Sequence, residues 1–306
     1  MGFKDKIIIL GVTASGKSRL GFDLARTTGA QIVSVDSMKV YKHMDIGTAK
    51  PSAEKQQQVK HHLIDVVEPN ESFSVGMYLE SAEQAYAKIR ADGCPIIAAG
   101  GTPMYIKAML YGLFDGPGAD EEIRRKLKEQ IEAEGNAPLY GKLKQVDPEA
   151  AERIHLNDER RIVRALEVYE VTGKPISSFQ TQFGAERPTD DWFVIGLRRP
   201  KEVESQRINA RVKKMVELGL VDEVKNLLDR CTLSKQAAAA IGYAEIIEYL
   251  DGKIDLDKAI ENIKVNTRKL AKSQRTWFKT FKEVNWIEVE EDTTPEEILE
   301  KTMYLI

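Results

Sequence analysis

Short apolar runs alternate with amphipathic segments over the first third of this 306-residue chain. Each run is four or five residues long and ends at glycine or at a polar residue, as buried strands do, while the segments between them repeat their apolar positions with helical spacing. The pattern predicts strands over 6–10, 31–35 and 95–99 and helices over 17–27 and 75–92. Such strand and helix alternation is typical of a parallel sheet with helices on both faces.

The pattern changes after Gly116-Pro117-Gly118. Only helical periodicity is visible from 120 to about 182, with dense Glu, Lys and Arg, and Asp158 is a plausible N-cap for the helix that runs to Val171. Further predicted elements are a strand over 192–197, helical segments over 202–250 and 255–282, and a strand over 284–289. We therefore predict an α/β fold: a phosphate-binding-loop (P-loop) parallel sheet core over 1–116 and 191–306, with an inserted all-helical domain over 117–190.

The loop after the first predicted strand carries the clearest chemistry. It reads GVTASGKS and fits the phosphate-binding pattern G-x-x-x-x-G-K-[ST] at every fixed position. The glycines permit a tight turn and close backbone approach, Lys17 brings a positive charge to phosphates, and the Ser18 hydroxyl is placed to ligate Mg²⁺. Its residues are Gly11, Val12, Thr13, Ala14, Ser15, Gly16, Lys17 and Ser18. The loop alone is typical of ATP-binding proteins, but it does not say which phosphate compound is bound.

Two further loops are predicted at the same edge of the sheet. Asp36 ends the second strand, where it could hold Mg²⁺ through water, act as a general base, or cap the turn that begins at Ser37. Gly100-Gly101-Thr102 follows the third strand, either as a tight turn or as a contact for a substrate oxygen. No apolar run ends in an Asp-Glu pair of the kind that hydrolytic ATPases use, which argues against an ATPase.

Composition narrows the class of protein. With 42% hydrophobic and 30% charged residues, the chain has the composition of an ordinary globular protein. Cys94 and Cys231 are far apart and form no C-x-x-C pattern, which favours a reducing compartment over a zinc site or a disulfide framework. The apolar runs are too short for a signal peptide or a membrane span, so we expect a soluble, cytoplasmic protein with no membrane partner.

Basic residues are grouped although the formal net charge is −3. A single charged stripe is usually a solvated helix face, but several together favour a polyanionic partner. One predicted helix carries Arg207, Arg211 and Lys214, a second carries Lys264, Arg268, Lys272, Arg275 and Lys279, and the helical insertion carries Arg153, Arg160, Arg161 and Arg164.

Several motifs in a fixed order resemble bacterial tRNA dimethylallyltransferases, the IPP transferase family. Besides the phosphate loop, they are VDSMKVYKHMDIGTAKPS at 35–52, HHLIDV at 61–66, AAGGTPMYIKAML at 98–110, RIHLNDERRIVRALEVYEVTGKP at 153–175, AIGYAE at 240–245 and TRKLAKSQRTW at 267–277. The chain departs from the pattern at Ser273, where relatives often carry Arg. It also lacks the C-terminal zinc finger of eukaryotic members, in line with its two cysteines.

The resemblance implies an enzyme that moves a dimethylallyl group from dimethylallyl diphosphate to N6 of the adenine at position 37 of tRNA. Thr13 to Ser18 would hold the diphosphate with Mg²⁺, and Arg211 would add charge to this leaving group. Asp36 would accept the N6 proton, and Thr102 would contact the reacting region. Asp36, Thr102 and Arg211 are therefore the catalytic candidates.

The same resemblance implies a surface that grips tRNA, with the helical insertion closing on the anticodon stem. Its residues would be Asp36, Ser37, Met38, Lys39, Thr102, Arg124, Arg160, Arg161, Ile162, Val163, Arg164, Ala240, Ile241, Gly242 and Tyr243. We expect the protein to act as a monomer.

Two other functions share parts of this pattern. A small-molecule kinase of the shikimate or nucleoside-monophosphate type would use the same loop and the positions of Asp36 and Thr102. A non-catalytic P-loop module that binds RNA would use the loop and the basic stripes. Assays with ATP and with dimethylallyl diphosphate separate these alternatives.

Overall fold

The computed structural model describes residues 4–113, 116–179 and 192–306. The chain forms two compact units, one made of Met1–Leu110 with Asp190–Ile306 and the other of Tyr111–Thr189. The sequence-based division placed the boundaries at 117 and 190. Position 190 and the predicted end of the helical block at 182 lie outside the described residues.

A six-stranded parallel sheet forms the centre of the first unit, with strand order β3-β2-β4-β1-β5-β6. Its strands are β1 (Lys6–Gly11), β2 (Gln31–Val35), β3 (His61–His62), β4 (Ile96–Gly100), β5 (Phe193–Arg198) and β6 (Val284–Glu288). The central strands are buried on both faces, as parallel strands covered by helices are. The predicted α/β fold is confirmed.

Helices cover this sheet and continue beyond it. They are α1 (Lys17–Thr28), α2 (Ala53–Gln58), α3 (Val75–Ala91), α4 (Pro103–Tyr111), α10 (Lys201–Glu217), α11 (Leu220–Arg230), α12 (Lys235–Ala238), α13 (Tyr243–Leu250), α14 (Leu256–Phe278) and α15 (Pro295–Leu305). One apolar cluster joins Leu20 and Leu24 of α1 to Ile9 and Ile97 of the sheet and to Ile298 of α15. This packing fixes the start of α1 against the ends of the central strands.

The second unit is helical throughout its described part. It contains α5 (Glu121–Glu134), α6 (Asn136–Val146), α7 (Pro148–Arg153), α8 (Glu159–Thr172) and α9 (Ile176–Phe179). Leu127, Leu143, Ile162 and Leu166 lie in its apolar core. Asp158 caps α8 by accepting a hydrogen bond from the Arg161 N–H, as predicted.

No helix among the described residues is both long and apolar enough to cross a membrane.

Candidate active site

Three loops meet where β2, β4 and β1 end, because these strands are neighbours and run in the same direction. The phosphate loop follows β1, Asp36 follows β2, and Gly101 and Thr102 follow β4. The functional residues predicted from the sequence therefore lie together at one edge of the sheet, where open α/β sheets bind ligands.

The phosphate loop is tightly wound. Gly16 has a φ of 105°, and a Cβ at Gly11 would lie only 2.6 Å from the Ser15 Oγ. The Lys17 Nζ donates a hydrogen bond to the Val12 carbonyl oxygen at 3.0 Å, across the mouth of the loop. The loop then opens directly into the N-terminus of α1, where unpaired N–H groups favour an anion.

Two arginines hold the loop from its outer side. The Nε of Arg199 donates to the Ser15 carbonyl oxygen, and the Nε of Arg207 donates to the Ala14 carbonyl oxygen, each at 2.8 Å. Sequence reasoning missed Arg199 and treated Arg207 as part of a surface stripe. The position of Arg199 directly after β5, the strand beside β1, is the signal that could have found it.

Three cationic side chains interact with the single carboxylate of Asp36. Burial and, to a smaller extent, the charges of Arg211 and Lys39 lower the pKa of Lys17 to about 7, while the charge of Asp36 opposes the shift. Burial likewise lowers the pKa of Lys39 and of Arg211, and Asp36 raises both. The positive charge of Lys17, Lys39 and Arg211 is thus greater than the single negative charge of Asp36. An anion such as a diphosphate would stabilise the charged forms of these three side chains.

The Asp36 carboxylate also organises its own loop. Its Oδ1 accepts hydrogen bonds from the N–H groups of Met38 at 2.9 Å and Lys39 at 3.3 Å. The capping role is therefore present. Within the described residues, the hydrogen bonds of this carboxylate all end on Oδ1, so Oδ2 remains for a further partner.

Thr102 connects the second and third loops. Its Oγ1 accepts a hydrogen bond from the Ser37 N–H at 3.0 Å, which leaves its own O–H to donate. The N–H groups of Gly101 and Thr102 both donate to the Val35 carbonyl oxygen, at 3.1 and 3.2 Å. A Cβ at Gly100 would collide with that carbonyl, so this close approach requires glycine.

In the helical unit, two of the predicted tRNA-binding arginines bind a buried carboxylate. The side chain of Glu167 has no exposed surface, and its two oxygens pair with the Arg124 Nε at 2.9 Å and with an Arg164 guanidinium nitrogen at 2.8 Å. Arg164 also donates to the carbonyl oxygens of Pro117 and Gly118. These arginines stabilise the unit itself, whereas Arg160 and Arg161 are exposed at the start of α8.

Several other predicted RNA contacts have buried side chains. Ile162 and Val163 lie in the core of the helical unit, and Ala240 and Tyr243 are buried in the first unit. The Tyr243 hydroxyl donates to Glu223 at 2.6 Å. Side-chain contact with RNA is not open to these residues as they stand, and contact through their backbone, or through Ile241 and Gly242, stays a prediction.

The long basic stripe of α14 is partly used inside the chain. Lys264 and Arg268 pair with Glu261, and Arg275 pairs with the buried Glu204. Lys272 and Lys279 are exposed. The helical spacing groups five cations on one face of α14, and three of them are paired with carboxylates of the chain.

The described residues contain no group of three or more His, Cys, Asp or Glu side chains that could hold a metal ion. The residue predicted to ligate the metal directly, Ser18, is exposed in the first turn of α1. This arrangement fits Mg²⁺ that is held by one protein hydroxyl, water and substrate phosphates, because Mg²⁺ retains much of its hydration.

The fold defines a P-loop α/β protein whose phosphate loop lies at the same sheet edge as the Asp36 carboxylate. The model of the IPP transferase family ("IPP transferase") matches residues 39–281, and the chain belongs to this family.

Curated relatives agree along almost the whole chain. The chain is 46% identical to a tRNA dimethylallyltransferase of Caldanaerobacter subterraneus subsp. tengcongensis, with 96% of this chain and 95% of the relative covered. It is 42% identical to a tRNA dimethylallyltransferase of Acetivibrio thermocellus, with 98% and 96% covered.

Solved structures extend the likeness to the fold. The full-length tRNA isopentenylpyrophosphate transferase of Bacillus halodurans superposes with a TM-score of 0.71 at 38% identity, over 99% of this chain and 96% of that one. A eukaryotic dimethylallyltransferase acting on tRNA superposes with a TM-score of 0.78 at 26% identity, over 99% and 79%.

Proposed function

We propose that this protein transfers the dimethylallyl group of dimethylallyl diphosphate to N6 of the adenine at position 37, next to the anticodon of tRNA, and releases diphosphate. Family membership and the names of the relatives support the reaction class. The observation that carries the proposal is the cluster of Lys17, Lys39 and Arg211 around Asp36, beside the phosphate loop.

The chemistry needs both signs of charge in that cluster. The N6 lone pair attacks the allylic carbon, the carbon–oxygen bond to diphosphate breaks, and the bonding electrons leave with the diphosphate. Lys17 and Arg211 stabilise the negative charge that develops on this leaving group. Asp36 accepts the N6 proton on Oδ2, since Oδ1 is held by the N–H groups of Met38 and Lys39.

The donor's diphosphate lies in the loop from Thr13 to Ser18, and Thr102 offers its hydroxyl to the reacting region. When Mg²⁺ is bound, it neutralises part of the diphosphate charge, and Ser18 is the residue that would ligate it. The protein itself supplies the N–H groups, the Lys17 ammonium and the Arg211 guanidinium.

For tRNA, the exposed Arg160 and Arg161 of the helical unit contact phosphates. Arg124 and Arg164 support that surface through their bonds to Glu167. Ser37, Met38 and Lys39 lie beside Asp36, which accepts the N6 proton. The turn over 240–243 contributes backbone groups that contact the tRNA. We propose that one copy of the chain binds one tRNA.

Donor choice tests the reaction directly. We expect transfer of label from dimethylallyl diphosphate to an unmodified tRNA that carries adenine at position 37, and no label transfer from γ-labelled ATP to any small acceptor. The product is assayed by digestion of the tRNA and chromatography of its nucleosides. ATP-dependent phosphorylation without prenyl transfer would show that the protein is a kinase instead.

The salt dependence of tRNA binding tests the helical surface. Each phosphate contact releases counterions, so Arg161→Ala should flatten the slope of log affinity against log salt by about 0.7 to 0.9. Arg125→Ala is the matched control, because both arginines are well exposed and each pairs with a carboxylate of its own helix region. Equal slopes for the two variants and the wild type would remove Arg161 from the tRNA-binding surface.

A further inference from the structure

The side-chain amide of Gln274 joins two of the three loops at the active-site edge. Gln274 lies in α14 and is only 5% exposed. Its Oε1 accepts a hydrogen bond from the Thr13 N–H at 2.8 Å, and its Nε2 donates to the Gly101 carbonyl oxygen at 2.7 Å. One buried amide therefore bonds to the backbone of both the phosphate loop and the turn after β4.

The geometry around Gly101 is adapted to this contact. A Cβ at Gly101 would lie 2.7 Å from the Gln274 Nε2 and 3.3 Å from the Lys17 Nζ. The turn, the Gln274 amide and the Lys17 ammonium thus converge on one point, and glycine is the residue that allows it. A displacement of the turn would also change its spacing from Lys17.

Both partners of the amide are backbone groups, and both bonds have good geometry in a buried place. A buried polar group that loses its partner costs free energy, so the amide is held in one orientation with its oxygen toward Thr13 and its nitrogen toward Gly101. Asp or Glu at this position would lack the donor, and an apolar residue would lack both groups. Only a neutral amide serves the two loops at once.

We propose that Gln274 is a positioning residue that sets the spacing between the donor-holding phosphate loop and the acceptor-facing Gly101 and Thr102 turn. This rests on the proposed function, in which the first loop carries the diphosphate and the turn contacts the reacting region. Bond formation requires the amine and the allylic carbon to approach to about 3 to 3.5 Å, and a misplacement of about 1 Å costs on the order of 10²-fold in rate. Gln274 acts on the rate of transfer through this spacing and does not contact the reacting atoms.

Two variants separate the two hydrogen bonds. Gln274→Met removes both at similar side-chain length, while Gln274→Glu retains an acceptor for the Thr13 N–H and loses the donor to Gly101. Asn285→Leu is the control, because the side-chain amide of Asn285, in β6 of the same unit, donates a partly buried hydrogen bond to the Val194 carbonyl oxygen. Each protein is assayed for its single-turnover rate at saturating tRNA and donor, for its tRNA affinity in a separate binding measurement, and for its thermal midpoint.

We expect Gln274→Met and Gln274→Glu to transfer the prenyl group about 10-fold or more slowly, with tRNA affinity near that of wild type. The thermal midpoint of each should fall no further than that of Asn285→Leu, which should retain the wild-type rate. Amide hydrogen exchange supplies a readout that needs no turnover: Thr13 N–H should lose protection in Gln274→Met and keep it in Gln274→Glu.

Three results would overturn the positioning role. They are a wild-type rate in Gln274→Met, restoration of the rate by Gln274→Glu, which would leave the Gly101 bond without a role, and unchanged protection of Thr13 in Gln274→Met. Failure of the proposed function has a different signature. The wild-type protein would then transfer no prenyl group at all, while the variants would still show the expected differences in Thr13 exchange.

Discussion

Replacing Asp36 by Asn is expected to lower kcat about 10²-fold or more while tRNA affinity stays close to that of wild type. The amide oxygen of Asn can still accept the Met38 and Lys39 N–H bonds, so the loop keeps its shape. What is lost is the ability to take up the N6 proton, and general-base catalysis contributes typically 10² to 10⁴ in rate. The measurement is a single-turnover rate at saturating donor and tRNA, with tRNA affinity measured separately.

The donor KM distinguishes the loss of the general base from weaker binding of dimethylallyl diphosphate. Asp36→Asn leaves Lys17, Lys39 and Arg211 without their neighbouring carboxylate, so donor KM should stay constant or fall while kcat drops. Asp251→Asn removes a carboxylate that pairs with Lys253 on the surface and should leave both constants unchanged. Wild-type kcat in Asp36→Asn would eliminate the proposed base.

Replacing Arg211 by Ala is expected to reduce kcat/KM for the donor by about 10²- to 10³-fold. Arg211 is largely buried beside Asp36. A preorganised hydrogen-bonding group of this kind stabilises the charge that develops on a leaving group. Removal of one such group from an enzyme site costs about that factor. Arg211→Lys should recover part of the loss, because it restores the charge without the planar set of donors.

Lys213→Ala is the control for the Arg211 variant. Lys213 lies two residues further along α10, is exposed, and pairs with Glu217, so its loss should leave donor kinetics unchanged. The comparison is made by varying dimethylallyl diphosphate at saturating tRNA. If Arg211→Ala keeps the wild-type kcat/KM, Arg211 does not act on the leaving group.

The first part of the sheet and its loops follow closely from the sequence. The predicted strands 6–10, 31–35 and 95–99 correspond to β1, β2 and β4, with bounds within one residue. Apolar runs of this length ending in Gly or Asp carry a strong local signal, and the glycines of the phosphate loop and of the turn after β4 are required by close backbone contacts. The two-residue strand β3 was not predicted, because two residues carry no periodicity.

The fate of each basic residue could not be predicted in this way. Helical spacing places Arg207 and Arg211 on one face of α10, but it does not show that Arg207 holds the Ala14 carbonyl while Arg211 lies beside Asp36. In the helical unit, the spacing likewise groups Arg161 with Arg164, although Arg164 binds Glu167 and Arg161 is exposed. Helical periodicity predicts which face of a helix a side chain lies on, but it does not predict which residues that side chain contacts.

By itself, then, the sequence determined the α/β class, the phosphate loop, the two loops that follow β2 and β4, and the resemblance that indicates prenyl transfer to tRNA. These features depend on local patterns, because each residue type favours particular backbone conformations. Only the tertiary structure decided which cations serve the site, and it introduced Arg199 and Gln274, which lie far along the chain from the loops they hold. Such contacts depend on how distant segments pack, because a hydrogen bond is set by position in space and leaves no spacing rule in the chain.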